Sequence, residues 1–149
     1  MHSVHIVHMS QRSRGIRVSE PLAAEIEREA RRRARSWSAT AAELLEEAVR
    51  MRRAPGIVFA DGPAGRRAVV AGTGQDVWEI VATWRAVGED MDALKASYPW
   101  LDDTALHAAL GYYQLYPAEI DARLAREAEW TAERVRRELP FAARTPPRG

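Results

Sequence analysis

The sequence predicts a mainly α-helical chain with one isolated N-terminal strand, a small β-hairpin near its middle and a long C-terminal helix. Three observations predict it. Apolar residues recur every three or four positions through most of the chain, the spacing of one helix face. Period-two alternation is confined to residues 13–18, and two further β-prone runs flank a single Gly/Pro loop. A Ser, Asp or Pro stands before most helical stretches, where a helix start needs one.

Residues 1–11 are expected to be a disordered tail, with His2, His5 and His8 at three-residue spacing and Met9 as an alternative start to Met1. Residues 13–18 read as a strand with Ile16 and Val18 on one side and Ser13, Gly15 and Arg17 on the other. Ser19 is a helix cap, and Leu22, Ile26, Ala30 and Ala34 give an amphipathic helix over 20–34. Ser36-Trp37-Ser38 opens a second helix over 37–53, whose stripe is Trp37, Ala41, Leu44, Leu45, Ala48 and Val49.

Pro55-Gly56 marks a boundary. Ile57–Phe59 and Ala68–Val70 then form the hairpin. Asp76 is expected to cap a helix that Gly88 ends, Asp90 to start one that Pro99 closes, and Asp102-Asp103 to open a third. Pro117 starts the last helix, about 118–138, with Ile120, Leu124, Ala128 and Val135 as its stripe, and RTPPRG is an expected disordered end. The domain boundaries read from this pass are 12–54, 55–116 and 117–149.

Composition narrows the function. With no Cys there is no disulfide framework and no thiolate metal site. No apolar run approaches the roughly 20 residues of a membrane helix, and no signal peptide is visible, so a cytoplasmic protein is expected. The net charge of +1 hides a pattern. Residues 1–54 carry 11 Arg against 7 acids, 55–116 carry 4 basic against 8 acidic residues, and 117–149 carry 7 Arg against 6 acids. A polyanion partner therefore belongs at the N-terminal third.

An isolated strand cannot satisfy its own backbone, and two helices of this size cannot bury a sufficient core. Two copies solve both problems. Their strands make an antiparallel ribbon whose inner face, Ile16 and Val18, seals a shared core. The outer face fits the major groove of DNA, where one arginine reads guanine for about 1–3 kcal/mol of discrimination. Residues 13–53 resemble the ribbon-helix-helix repressors and antitoxins, on the strand ending Arg17-Val18-Ser19, the helix on Leu22/Ile26/Ala30 and Ser36-x-Ser38. The resemblance implies an intertwined homodimer with Ser13, Gly15 and Arg17 as base readers and Ser36, Trp37 and Ser38 as phosphate contacts at a helix N-terminus. Arg12 and Arg14 add electrostatic attraction. Gly15 has no side chain where the family has a reader, so specificity rests on Arg17. Many members have glycine in the turn before the second helix; this chain has Arg35-Ser36. Arg31-Arg32-Arg33 spans most of its helix circumference and reads as a solvated surface.

Residues 56–116 resemble the domain of unknown function 433 family, small helix-turn-helix-like domains often encoded beside PIN-like ribonuclease toxins. The resemblance rests on Gly65–Val70, Ala71-Gly72-Thr73, Val77-Trp78, the Gly88 turn, Tyr98-Pro99 and the Leu101-Asp102 helix running to Tyr112-Tyr113. Acids at the starts of its helices oppose phosphate, so it reads as a packing or dimer-extending module, with only Arg66 and Arg67 to favour DNA. The same acids offset helix dipoles and do not suggest a metal-dependent nuclease.

In antitoxins of similar layout the segment beyond the DNA-binding domain binds the toxin. That resemblance implies Trp130 and Phe141 as anchors and Arg134, Arg136, Arg137 and Arg144 as candidates for the toxin's acidic site, the alternative being a helix packed on its own domain. The expected function is the antitoxin of a type II toxin-antitoxin system: a homodimeric autorepressor that binds its own operator in double-stranded DNA and neutralises a cognate PIN-like ribonuclease. No enzyme activity, cofactor, metal, membrane or small-molecule substrate is expected. The alternatives are a stand-alone ribbon-helix-helix regulator whose second domain only oligomerises, and an interaction protein with no DNA role.

Overall fold

The structure, a computed structural model, describes residues 12–138. The histidines of the first eleven residues, the end RTPPRG, Phe141 and Arg144 lie outside the described residues. Among those described, six helices and one two-stranded sheet form, in the order α1 (Glu20–Arg32), α2 (Trp37–Arg53), β1 (Ile57–Gly62), β2 (Gly65–Val70), α3 (Val77–Ala86), α4 (Met91–Ser97), α5 (Asp103–Leu115) and α6 (Pro117–Glu138). The chain is mainly helical, with a small hairpin and a long C-terminal helix, as the sequence predicts. It divides into two compact units, Met1–Leu44 and Leu45–Gly149, so the division falls inside α2 and not at Pro55-Gly56.

In the first unit, residues 12–19 make no β-ladder. A strand needs a hydrogen-bonding neighbour, and a single copy supplies none to residues 13–18. Ser19 caps α1 as expected, its Oγ accepting from the Leu22 N–H at 3.3 Å. The helix stops at Arg32, two residues short of the expected end. The Ala34 N–H donates to the Arg31 carbonyl, and the Arg35 N–H to the Ala30 carbonyl. This pair of bonds closes the last turn and requires a left-handed residue, which is Ala34 at φ 50°. Alanine thus fills the place where a glycine would be unstrained, and it leaves the apolar stripe. Because Ala34 is exposed, Ala34→Gly loses no packing. It is expected to stabilise the first unit by about 1 kcal/mol, read as a higher thermal unfolding midpoint.

Ser36 caps α2 by accepting from the Ala39 N–H at 3.1 Å, and the Trp37 indole N–H donates to the Ala23 carbonyl of α1 at 3.3 Å. Ile26, Ala30, Thr40 and Ala41 are buried. Much of the remaining apolar stripe is not: Leu22 is 45% exposed and Leu44 38%.

In the second unit, β1 and β2 pair antiparallel over their full length, from Ile57 opposite Val70 to Gly62 opposite Gly65. The hairpin is longer than its apolar runs because cross-strand pairing carries Ala60–Gly62 along. After β2 the turn Gly72-Thr73-Gly74 returns the chain, both glycines left-handed, and Thr73 Oγ1 donates to the Val70 carbonyl at 2.8 Å. Helix α3 ends on left-handed Gly88, whose N–H donates to the Arg85 carbonyl while the Glu89 N–H reaches the Trp84 carbonyl. Asp90 and Asp102 cap α4 and α5 through the Ala93 and Ala105 N–H groups at 2.9 and 2.8 Å. The core gathers Ile57 and Val70 from the hairpin with Val77, Ile80 and Val81 of α3, Leu94 of α4, Leu106 and Tyr112 of α5, and Ile120 of α6.

Candidate functional site

The basic N-terminal segment is open to solvent. Arg12, Ser13, Arg14, Gly15, Ile16 and Arg17 are all exposed, and Ile16 is 62% exposed although it is the expected inward residue. Among the described residues Arg12, Arg14 and Arg17 have no carboxylate partner. The arginines of α1 and its exit differ. Arg31 pairs with Glu27 at 3.1 Å and Arg32 with Glu29 at 2.7 Å, while Arg33 and Arg35 both hold Glu43. Arg32 and Arg33 hold the Glu29 carboxyl below the usual carboxylate range, against the effect of burial. Neutralisation therefore separates the unspent charge at 12–17 from the spent charge at 31–35.

The start of α2 offers a phosphate contact of limited kind. Ser36 Oγ is occupied in capping, and the Trp37 indole is half-buried against α1. The Trp37 indole N–H is therefore spent, whereas the exposed Ser36 hydroxyl, an acceptor in the cap, keeps its own proton to donate to an anion. The backbone N–H groups of Trp37 and Ser38 have no intrahelical acceptor, as at any helix start, and the Ser38 side chain is exposed. The expected contacts at 36–38 thus reduce to backbone donors and the Ser36 and Ser38 hydroxyls.

In the second unit the hairpin arginines are each paired with a carboxylate. Arg66 grips Glu47 of α2 with two bonds of 2.6 and 2.8 Å and also pairs with Asp61 at 3.3 Å. The Glu47 contact holds its guanidinium firmly charged, outweighing burial. Arg67 holds the Asp76 carboxylate, which also accepts from the Trp78 indole at 2.9 Å. Asp76 precedes α3 but makes no side-chain cap. Its carboxylate is turned to Arg67, nine residues earlier in the chain, an arrangement no local pattern announces.

A larger network escaped sequence reasoning. Arg50 of α2 donates to Tyr112 Oη of α5 at 2.9 Å and to Glu119 of α6, and the Tyr112 hydroxyl donates to Glu119 at 3.0 Å. The Arg50 guanidinium also lies 4.5 Å over the Tyr116 ring. Burial opposes the Arg50 charge, but the bonds to Tyr112 and the charge of Glu119 outweigh it. Burial raises the Tyr112 phenol above its usual range and Glu119 adds to this, so it stays protonated and donates.

Residues 57–113 match the family described as protein of unknown function (DUF433). This segment is a DUF433 domain. No curated protein and no solved structure matches the chain. The DUF433 domain starts with β1 and ends next to Tyr112, so Arg50 and Glu119, which hold the Tyr112 hydroxyl, come from the flanking helices.

Helix α6 splits into two parts. Ile120 is buried in the DUF433 core and Leu124 packs against it. From Ala128 to Glu138 every residue is exposed, Trp130 by 59% and Val135 by 48%. Ala128 and Val135 therefore leave the expected stripe. Trp130, Arg134 and Arg137, at i, i+4 and i+7, share one side and line a groove with Glu138. Arg134 is paired with Glu138 at 2.9 Å, and Arg136 donates to its own helix backbone at 3.3 Å. None of the described helices is long and apolar enough to cross a membrane.

Proposed function

We propose that the protein is a homodimeric DNA-binding autorepressor of the ribbon-helix-helix kind and the antitoxin of a PIN-like ribonuclease, working in the cytoplasm by binding and not by catalysis. The observation that carries the reading is the state of residues 12–18. A basic segment with unspent arginines makes no β-ladder, and Ile16, Leu22 and Leu44 remain exposed. A second copy would pair the segment into a ribbon and cover those side chains. Arg17 then faces outward to read a base, while Arg12 and Arg14 strengthen phosphate attraction.

The second unit contributes differently. Its hairpin arginines are neutralised by Glu47, Asp61 and Asp76, and α4 and α5 open on carboxylates, so it makes a poor DNA surface. The exposed end of α6 suits a protein partner, with Trp130 as anchor and Arg134, Arg136 and Arg137 around it. Ending the chain after Tyr116 would strip Glu119 and Ile120 from the core, so the informative truncation ends after Ala128. That protein is expected to bind operator DNA as the full chain does and to fail to protect cells from the ribonuclease encoded beside it. Growth of cells co-expressing both proteins gives the readout, and protection by the truncated chain would remove the toxin-binding role from α6.

A further inference from the structure

Within the second unit, β2 and the early turns of α6 approach each other beside Trp78. Arg66 and Arg67 from the strand and Arg123 and Arg126 from the helix line, with Trp78 and Glu119, a cavity of about 60 Å³. That volume is several times the roughly 10–15 Å³ one water needs. The donors around it are unequally spent. Arg66 is taken by Glu47 and Asp61, and one arm of Arg67 by Asp76. Glu119 accepts from Arg50 and Tyr112. Arg123 gives one arm to Glu127 at 2.7 Å and lies 5.2 Å over the Trp78 ring, but its Nε is buried with no acceptor. Arg126 has no carboxylate partner among the described residues.

A buried guanidinium N–H without an acceptor costs stability, and an acceptor of opposite charge relieves it best. Two cations with unspent donors lie on one wall and a third with a free arm lies on the other. The one lining carboxylate is already satisfied. A compact group with several acceptor oxygens fits this better than a single carbonyl. We propose that this cavity is an anion site for a phosphate group, bound by Arg123 Nε and Arg126 from α6 and the free arm of Arg67 from β2. The site is separate from the basic segment at 12–17 and does not depend on it.

The group can come from free phosphate or from the end of a phosphomonoester, and one experiment addresses both. The full chain is titrated with inorganic phosphate, and separately with a nucleoside 5′-monophosphate, against chloride at constant ionic strength, reading thermal midpoint and calorimetric heat. The midpoint should rise saturably with phosphate. Arg126→Gln, at an exposed position that folding tolerates, should weaken the binding at least tenfold, whereas Arg28→Gln on α1 should not change it. Tighter binding of the monophosphate with the same dependence on Arg126 would identify a phosphomonoester, and equal or weaker binding the free anion. A midpoint that does not saturate, or an Arg126→Gln protein that binds as the original does, would overturn the proposal and leave a water-filled cavity.

Discussion

Leu45→Glu is expected to weaken dimerisation by at least about 100-fold while the single chain stays folded. Leu45 is 54% exposed in one copy, and Val49, one turn on, is 56% exposed. On a helix whose polar side is already charged, such a stripe is stable in water only when covered. In the proposed dimer these side chains meet their counterparts, and a glutamate there must be buried without a partner. Burying an unpaired charge costs several kcal/mol in proteins, and each 1.4 kcal/mol is about tenfold in affinity. Since Leu45 contributes little to the fold of one copy, circular dichroism should be unchanged. Sedimentation equilibrium should show the mass of one chain where the original protein shows two. An original protein that is itself monomeric at micromolar concentration would remove the basis for the ribbon.

Tyr112→Ala is expected to destabilise the second unit by about 3–5 kcal/mol, the range for emptying a large aromatic site in a core. Tyr112 is fully buried, meets Phe59 edge-on at 6.2 Å and Tyr116 at 4.9 Å, and carries the hydroxyl that joins Arg50 to Glu119. Tyr112→Phe keeps the ring and loses only the hydroxyl. Arg50 and Glu119 still hold each other, so its cost should be about 1–2 kcal/mol. Urea unfolding followed by tryptophan fluorescence measures both. Equal losses in the two variants would mean that the hydroxyl network, and not the ring, carries the stability.

The parts legible in the sequence are those that local chemistry decides. Ser19, Asp90, Asp102 and Pro117 mark helix starts because a cap or a missing N–H acts within one turn. Gly88 marks an end because the left-handed conformation is easiest for glycine. Where a longer-range partner decides, the sequence was silent or misleading. Asp76 looks like a cap and is instead the counterion of Arg67. Arg50, Tyr112 and Glu119 lie in three different elements, and nothing in the spacing of the first from the other two links them. Ala34 conceals a helix end because alanine is a strong helix former, and only the exit bonds from Ala34 and Arg35 reveal it.

The candidate site divides in the same way. Alternation at 13–18 pointed to a strand, but among the described residues nothing pairs with it and it makes no β-ladder. Ser36 and Trp37 matched a motif by residue type, but the Trp37 indole N–H is spent on the α1 backbone, while Ser36 caps α2 as an acceptor and keeps its own O–H. The charge asymmetry of the chain was informative about the second unit, where the hairpin arginines prove to be neutralised. It did not distinguish the free arginines of 12–17 from the paired ones of 31–35, because pairing depends on Glu27, Glu29 and Glu43 in the folded unit.

The most direct measurement is the affinity of the Arg17→Ala protein for DNA from its own promoter, beside that of the original chain. The proposed ribbon predicts loss of the specific footprint, an affinity decrease of at least about tenfold from the 1–3 kcal/mol of one base contact, and an unchanged dimer by sedimentation. An Arg17→Ala protein that protects the same bases with the same affinity would contradict the assignment of this segment as the DNA-reading ribbon.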